Sequence, residues 1–175
     1  MKSVPGRRGE LLSIRMLGDP VLRSPAGEVD QFDEELRHLA NSMLRTMYAA
    51  DGAGLAAPQV GHGRRIVVID VKEAATGPLV LINPRILEHG HEREKFVEGC
   101  LSIPGVASPV ERHSEVLVEA FTLSGSLMKL PGRGRLASVL QHELDHLDGV
   151  LYVDRLAPLQ RKIVLNKYRK LSAGH

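Results

Sequence analysis

Two histidines four residues apart, in His142-Glu143-Leu144-Asp145-His146, restrict the fold of this chain more than any other feature. On a helix, positions i and i+4 lie on one face a turn apart, so both imidazoles can reach a single metal ion. Glu143, directly after the first histidine, is placed to take a proton from an attacking water. The flanking residues agree with a helix over 134–147: Leu136, Val139, Leu140, Leu144 and Leu147 share one face, and Asp148-Gly149 ends it. The chain must therefore bury this helix along its leucine stripe and leave the histidines at the flank of the core. In a chain with eight histidines, a chance match or a hydrogen-bonded core pair also fits the pentad alone.

Two histidines do not complete a catalytic site, which normally has three protein ligands and one open position. No Glu follows Glu143, and no His lies between His146 and His175. The remaining strong ligand is Cys100, the single cysteine, in Glu98-Gly99-Cys100-Leu101-Ser102. A metal would deprotonate its thiol, and Gly99 lets the backbone turn closely beside it. A lone cysteine also fits a buried, inert side chain. Taken together, Cys100, His142 and His146 are expected to hold one divalent ion, with Glu143 as the proton-transfer residue of a metal-dependent hydrolase. An HExxH endopeptidase would use the same helix but leaves Cys100 unexplained. A binding protein with a structural metal would normally close its site with four protein ligands.

The rest of the chain reads as one α+β domain over 1–175, with a flexible lead-in over 1–13. Apolar residues make up 43% and charged residues 25%, as in a globular protein, and with three Phe, three Tyr and no Trp the core must be aliphatic. The formal charge of +2 does not demand a nucleic-acid partner. One cysteine excludes an internal disulfide, no apolar run approaches the ~20 residues of a membrane span, and no signal-peptide h-region follows the basic start. A cytoplasmic location without membrane contact is the simplest reading, and a short organellar transit segment also fits the basic start.

Periodicity predicts an extended piece over 14–17 before the turn Gly18-Asp19-Pro20, and a helix over 32–50 stopped by Asp51-Gly52. Buried strands are expected at 65–70 and at 79–83, the second stopped by Pro84. Residues 85–97 read as a strand pair or a loop. A hairpin is expected from 115–122 and 127–130, broken by Pro131-Gly132, then a short strand at 150–153. The last helix, 158–171, begins on a first-turn proline.

Three segments stand in an order and spacing that resemble the signature motifs of the peptide deformylases. They are Gly52-x-Gly54-Leu55-Ala56-Ala57-x-Gln59-Val60-Gly61, Glu98-Gly99-Cys100-Leu101-Ser102 and Gln141-His142-Glu143-Leu144-Asp145-His146. Residues 14–20, Asn83-Pro84, 116–121, 148–154 and Pro158-Leu159 extend the likeness, so that it covers residues 14–170. The resemblance implies small antiparallel or mixed sheets packed around a central HExxH-bearing helix, with a helix at the C-terminus. It implies removal of the formyl group from the N-terminal formylmethionine of new polypeptides, releasing formate. Cys100, His142 and His146 match the family's metal ligands, and Glu143 its acid/base. Gln59 and the Leu101 N–H match its oxyanion donors, and Gly54, Leu55 and Gly99 its substrate-binding positions. The usual native metal is Fe²⁺, with Zn²⁺, Ni²⁺ or Co²⁺ able to occupy the site. Gln59 also fits a turn-capping amide. A chain of this kind that had lost activity would not be expected to retain both Glu143 and Gln59. Ala53 and Gly105-Val106-Ala107 depart from the common pattern and put contacts to long substrates in doubt.

Residues 161–170, RKIVLNKYRK, hold five basic side chains and no acid. They read first as a solvated helix face. By resemblance, this helix is also a candidate for ribosomal RNA contact by a monomeric enzyme acting on nascent formylated chains.

Overall fold

The computed structural model describes residues 9–174. Among them, helices form at Glu34–Ala49 (α1), Arg135–Leu147 (α2) and Pro158–Ser172 (α3). Strands form at Gly54–Ala56 (β1), Ile66–Ile69 (β2), Leu79–His89 (β3), Arg93–Cys100 (β4), Ile103–His113 (β5), Glu115–Phe121 (β6) and Leu127–Arg133 (β7). Every pairing between these strands is antiparallel, giving a five-stranded sheet in the order β1-β2-β3-β6-β7 and a separate β4-β5 ribbon. This is the α+β architecture expected from the sequence.

Side-chain alternation explains how the sheet holds a helix on each face. Val67 and Ile69 of β2 point to one side, with Leu81, Val118 and Ala120, and meet Leu136, Leu140, Leu144 and Leu147 of α2. Ile66 and Val68 point to the other, with Leu55 and Ile82, and meet Leu36, Met43, Leu44 and Met47 of α1. Strand β2 therefore reads as an unbroken apolar run because both of its faces are covered. Each such side chain, fully buried, contributes roughly 1.5–3 kcal/mol. A third cluster joins Ile103, Val106 and Val110 of β5 to Leu22, Leu151, Tyr152, Val153 and Val164 of α3. Helix α2 thus lies between the sheet and the ribbon.

Local signals behave as their chemistry demands at most boundaries. Asp33 caps α1, its carboxylate accepting the Leu36 N–H at 2.9 Å, and Glu34 and Glu35 favour the helix dipole. Asp51, at φ 54°, and Gly52 follow its end.

Elsewhere the expectations need correction. The strand expected to stop at Pro84 continues to His89. Asn83 takes φ 49° and the register shifts between Ile82 and Arg85, so Pro84 sits in a bulge where no ladder N–H is required. The Asn83 amide holds that bend by donating to the Val29 carbonyl and accepting its N–H, each at 2.8 Å. Residues 85–97 are mostly ordered strand, shared between β3 and β4. Pro131-Gly132 does not break β7, because β7 is an edge strand that can accommodate a proline. A Cβ on Gly132 would come 2.6 Å from Leu140 Cδ1, so the glycine permits α2 to pack closely. The strand expected at 150–153 is instead a 3-10 turn, Tyr152–Arg155, in which Asp154 accepts the Leu151 N–H at 2.9 Å.

Of the lead-in expected over 1–13, residues 1–8 lie outside the described residues. The stretch after them runs along α1. The Glu10 and Leu12 N–H groups donate to Ser42 Oγ and Thr46 Oγ1, each at 2.9 Å. No described helix is long and apolar enough to cross a membrane.

Candidate metal centre

Helix α2 carries its histidines into the interior: His142 is 8% exposed, Glu143 4% and His146 1%. Cys100 is the last residue of β4, where a register shift after Gly99 turns the ribbon through Leu101-Ser102 into β5. These two elements bring the Cys100 thiol and the two imidazoles together, with one ligand atom of each within 4.8 Å of the others. Cys100 Sγ lies 3.4 Å from His146 Nε2. His142 Nδ1 is 2.9 Å from Glu98 Oε2, which leaves Nε2 as the ligand nitrogen of that ring. One thiolate and two imidazoles suit a divalent transition metal such as zinc or iron, with a coordination place left open. Glu143 Oε2 is buried without a hydrogen-bond partner, as a group awaiting a ligand or water would be.

The electrostatics of the cluster divide its members. Burial pushes the Glu143 carboxyl up to about 7, so it can both take and give a proton near neutrality. Burial, then the nearby His142 and Arg112, hold His146 well below the ordinary histidine range, which keeps a lone pair free. For Glu98, burial acts upward, but hydrogen bonds from Arg112 and His142 outweigh it and bring the carboxyl down to about 2.

Glu98 belongs to a buried network to which sequence reasoning assigned no role. Arg112 donates to both Glu98 oxygens, at 2.7 and 2.9 Å, and to Asp145 at 2.6 Å. Ser138 Oγ donates to Glu98 at 3.1 Å, and Arg155 Nη2 to Asp145 at 2.7 Å. The network clamps β4, β5 and α2 together behind His142. Strand alternation was the available signal for Glu98, since residues 98 and 100 of one strand share a face. Arg112 carried no local signal beyond its place in a long strand.

Gln59 sits in the 3-10 turn Ala57–Val60, its side chain anchored at both ends. Oε1 accepts the Ala56 N–H at 2.9 Å, which turns Nε2 toward Cys100 Sγ at 3.5 Å and Ser102 Oγ at 3.2 Å. The amide therefore caps a turn and also faces the ligands. The N-terminal segment fastens both partners, since the Arg15 N–H donates to the Gln59 carbonyl at 2.7 Å and the Leu17 N–H to the Ser102 carbonyl at 2.9 Å.

Gln59, Leu101, Gly54, Gly99, Cys100, His142 and Glu143 all line one cleft of about 560 Å³. Phe96, Val106 and Val139 supply apolar wall. The Leu55 side chain does not reach the cleft. Strand alternation turns it opposite to Gly54, and it is fully buried in the core beneath α1.

This combination of fold and site has close parallels. The polypeptide deformylase family model matches residues 11–162. A peptide deformylase of Mesorhizobium japonicum is 46% identical over 159 residues, covering 90% of each chain. The crystal structure of a peptide deformylase from Legionella pneumophila matches with a TM-score of 0.87 at 43% identity, over 93% of this chain and 96% of that one. A peptide deformylase from Synechococcus elongatus, solved in complex with actinonin, matches with a TM-score of 0.87 at 45% identity over 94% of each chain. Cysteine and histidines meet in this chain on the same scaffold, within a family-model match that contains the whole sheet and α2, and on that ground the chain belongs to the peptide deformylase family.

Proposed function

We propose that this chain hydrolyses the formamide of N-terminal formylmethionine on newly made polypeptides and frees formate, with Glu143, Gln59 and the Leu101 N–H as its chemical groups. The observation that carries this reading is the buried, unpartnered Glu143 oxygen on the cleft wall beside Cys100, His142 and His146. One divalent ion, when held by those three side chains, supplies Lewis acidity that makes water a competent nucleophile at neutral pH. Fe²⁺ is the proposed native ion, with Zn²⁺, Ni²⁺ or Co²⁺ as substitutes.

Glu143 takes the proton of the attacking water and passes it to the leaving amine. Gln59 Nε2 and the Leu101 N–H donate to the formyl oxygen as negative charge develops there, and losing one such donor costs about 3 kcal/mol of barrier. Phe96, Leu101 and Val139 offer the methionine side chain an apolar wall. Gly99 lacks a side chain and lets the peptide backbone approach β4, and Gly54 lines the peptide groove with its backbone, its absent Cβ making room for Glu143.

In Glu143→Ala, formate release is expected to fall by at least ~10²-fold, within the usual range for a lost acid/base, while metal content by elemental analysis is retained. Near-normal turnover in that variant would remove Glu143 from the mechanism. A formylated peptide should be hydrolysed and its acetylated counterpart left intact, which separates this activity from that of an endopeptidase.

The basic helix α3 is proposed to contact ribosomal RNA from a monomeric, cytoplasmic enzyme. Lys162, Lys167 and Lys170 are exposed, whereas Val164 is buried in the third core cluster. Charge reversal of the three lysines is therefore a cleaner test than truncation. Salt-dependent co-sedimentation with ribosomes should be lost in the triple variant, and unchanged binding would refute the contact.

A further inference from the structure

Arg135, Ser138, Val139 and His142 all line the cleft. They are positions i, i+3, i+4 and i+7 of α2, a single stripe leading from a metal ligand to the first residue of the helix. At 1.5 Å of rise per residue, Arg135 stands roughly 10 Å along the axis from His142. An extended peptide advances about 3.3–3.6 Å per residue. With its formyl group at the ligand cluster and its chain running along this stripe, a substrate brings its second and third residues within reach of the guanidinium.

The charge on this wall is poorly compensated. Apart from the ligand cluster, its Glu98 support and the acid/base Glu143, the charged residues lining the cleft are Arg135 and, on the loop before β1, Asp51. Arg135 Nε is 3.8 Å from Glu73 Oε2, and the two side chains are 58% and 67% exposed, so this ion pair holds the guanidinium weakly. No side chain caps α2, and its first turn contains no acid, so the positive end of the helix dipole adds to the same field.

We propose that Arg135 is a specificity residue of this cleft, favouring formylated peptides with an acidic side chain at the second or third residue and disfavouring basic ones. The inference rests on the reading of the cleft as the formyl-peptide site. The contact is present in the ground state and the transition state alike, so it acts on KM more than on kcat, and salt screens it.

The test uses metal-loaded enzyme and formyl-Met peptides carrying Glu, Gln or Lys at residue two or three. The readout is the ratio of kcat/KM between peptides within each protein, so that any general change in activity cancels. Wild type should prefer the acidic over the neutral peptide by about two- to five-fold at low salt, the range of an exposed ion pair. The preference should vanish in Arg135→Gln, invert in Arg135→Glu, and widen in Glu73→Gln, which frees the guanidinium. Equal ratios in wild type and all three variants overturn the inference while leaving deformylation intact. Failure of wild type to turn over any formylated peptide, the neutral one included, removes the underlying reading and the inference with it.

Discussion

A Cβ placed on Gly54 would stand 2.6 Å from Glu143 Oε1 and 2.8 Å from its Cγ. The carboxylate therefore occupies space that only a glycine in β1 leaves open. In Gly54→Ala, Glu143 must move by a few tenths of an ångström or more. Its kcat is expected to fall by about 10²-fold, as misplaced catalytic groups do, with little change in melting temperature. A variant that melts early in proportion to its lost activity would show a folding defect instead. The ligands Cys100, His142 and His146 were legible because each residue type is rare or patterned. The Leu55 side chain faces the core and not the cleft because neighbours in a strand point to opposite faces, and a motif matched along the chain carries no information about which face a side chain takes.

Arg112 joins three elements, accepting no substitute for its forked geometry between Glu98 on β4 and Asp145 on α2. Its side chain is 4% exposed. In Arg112→Met the buried Glu98 carboxylate and the partly buried Asp145 lose their shared partner, and a broken buried pair such as that to Glu98 typically costs about 3–5 kcal/mol. Urea unfolding should show a loss of that order, smaller in Arg112→Lys, which keeps the charge without the fork. Metal affinity should also weaken by roughly 10- to 100-fold, because Glu98 no longer orients His142. An Arg112→Met protein of native stability would show that Arg155, Ser138 and His142 suffice for the network. Helices α1 and α2 were readable from period and caps. Strands β3 and β7 were cut short at Pro84 and Pro131 because a proline is tolerated at bulges and edges, and neither a bulge nor an edge exists until strands pair.

Across the whole molecule, the third core cluster is tied down by Asp154, which accepts from Arg23 and from the Leu151 N–H and faces Arg161. Burial alone would raise this carboxyl, but those partners hold it below the ordinary carboxylate range. A depressed folded value means its stabilisation is complete above the unfolded value of about 3.9 and is lost as pH falls from there toward the folded value. The stability gap between wild type and Asp154→Asn, measured by urea unfolding, should therefore be constant near neutrality and shrink below about pH 4. A gap that does not change with pH would show that the carboxylate charge contributes nothing.

The ordered residues of the chain carried its helices, its metal-ligand chemistry and its aliphatic core, because periodicity and residue type are local properties. The union of Cys100 with α2, the Arg112 network behind it, the charge of the cleft wall and the continuity of β3 and β7 arose only on folding. Each depends on which distant segments become neighbours, and the packing of α2 between sheet and ribbon makes that choice.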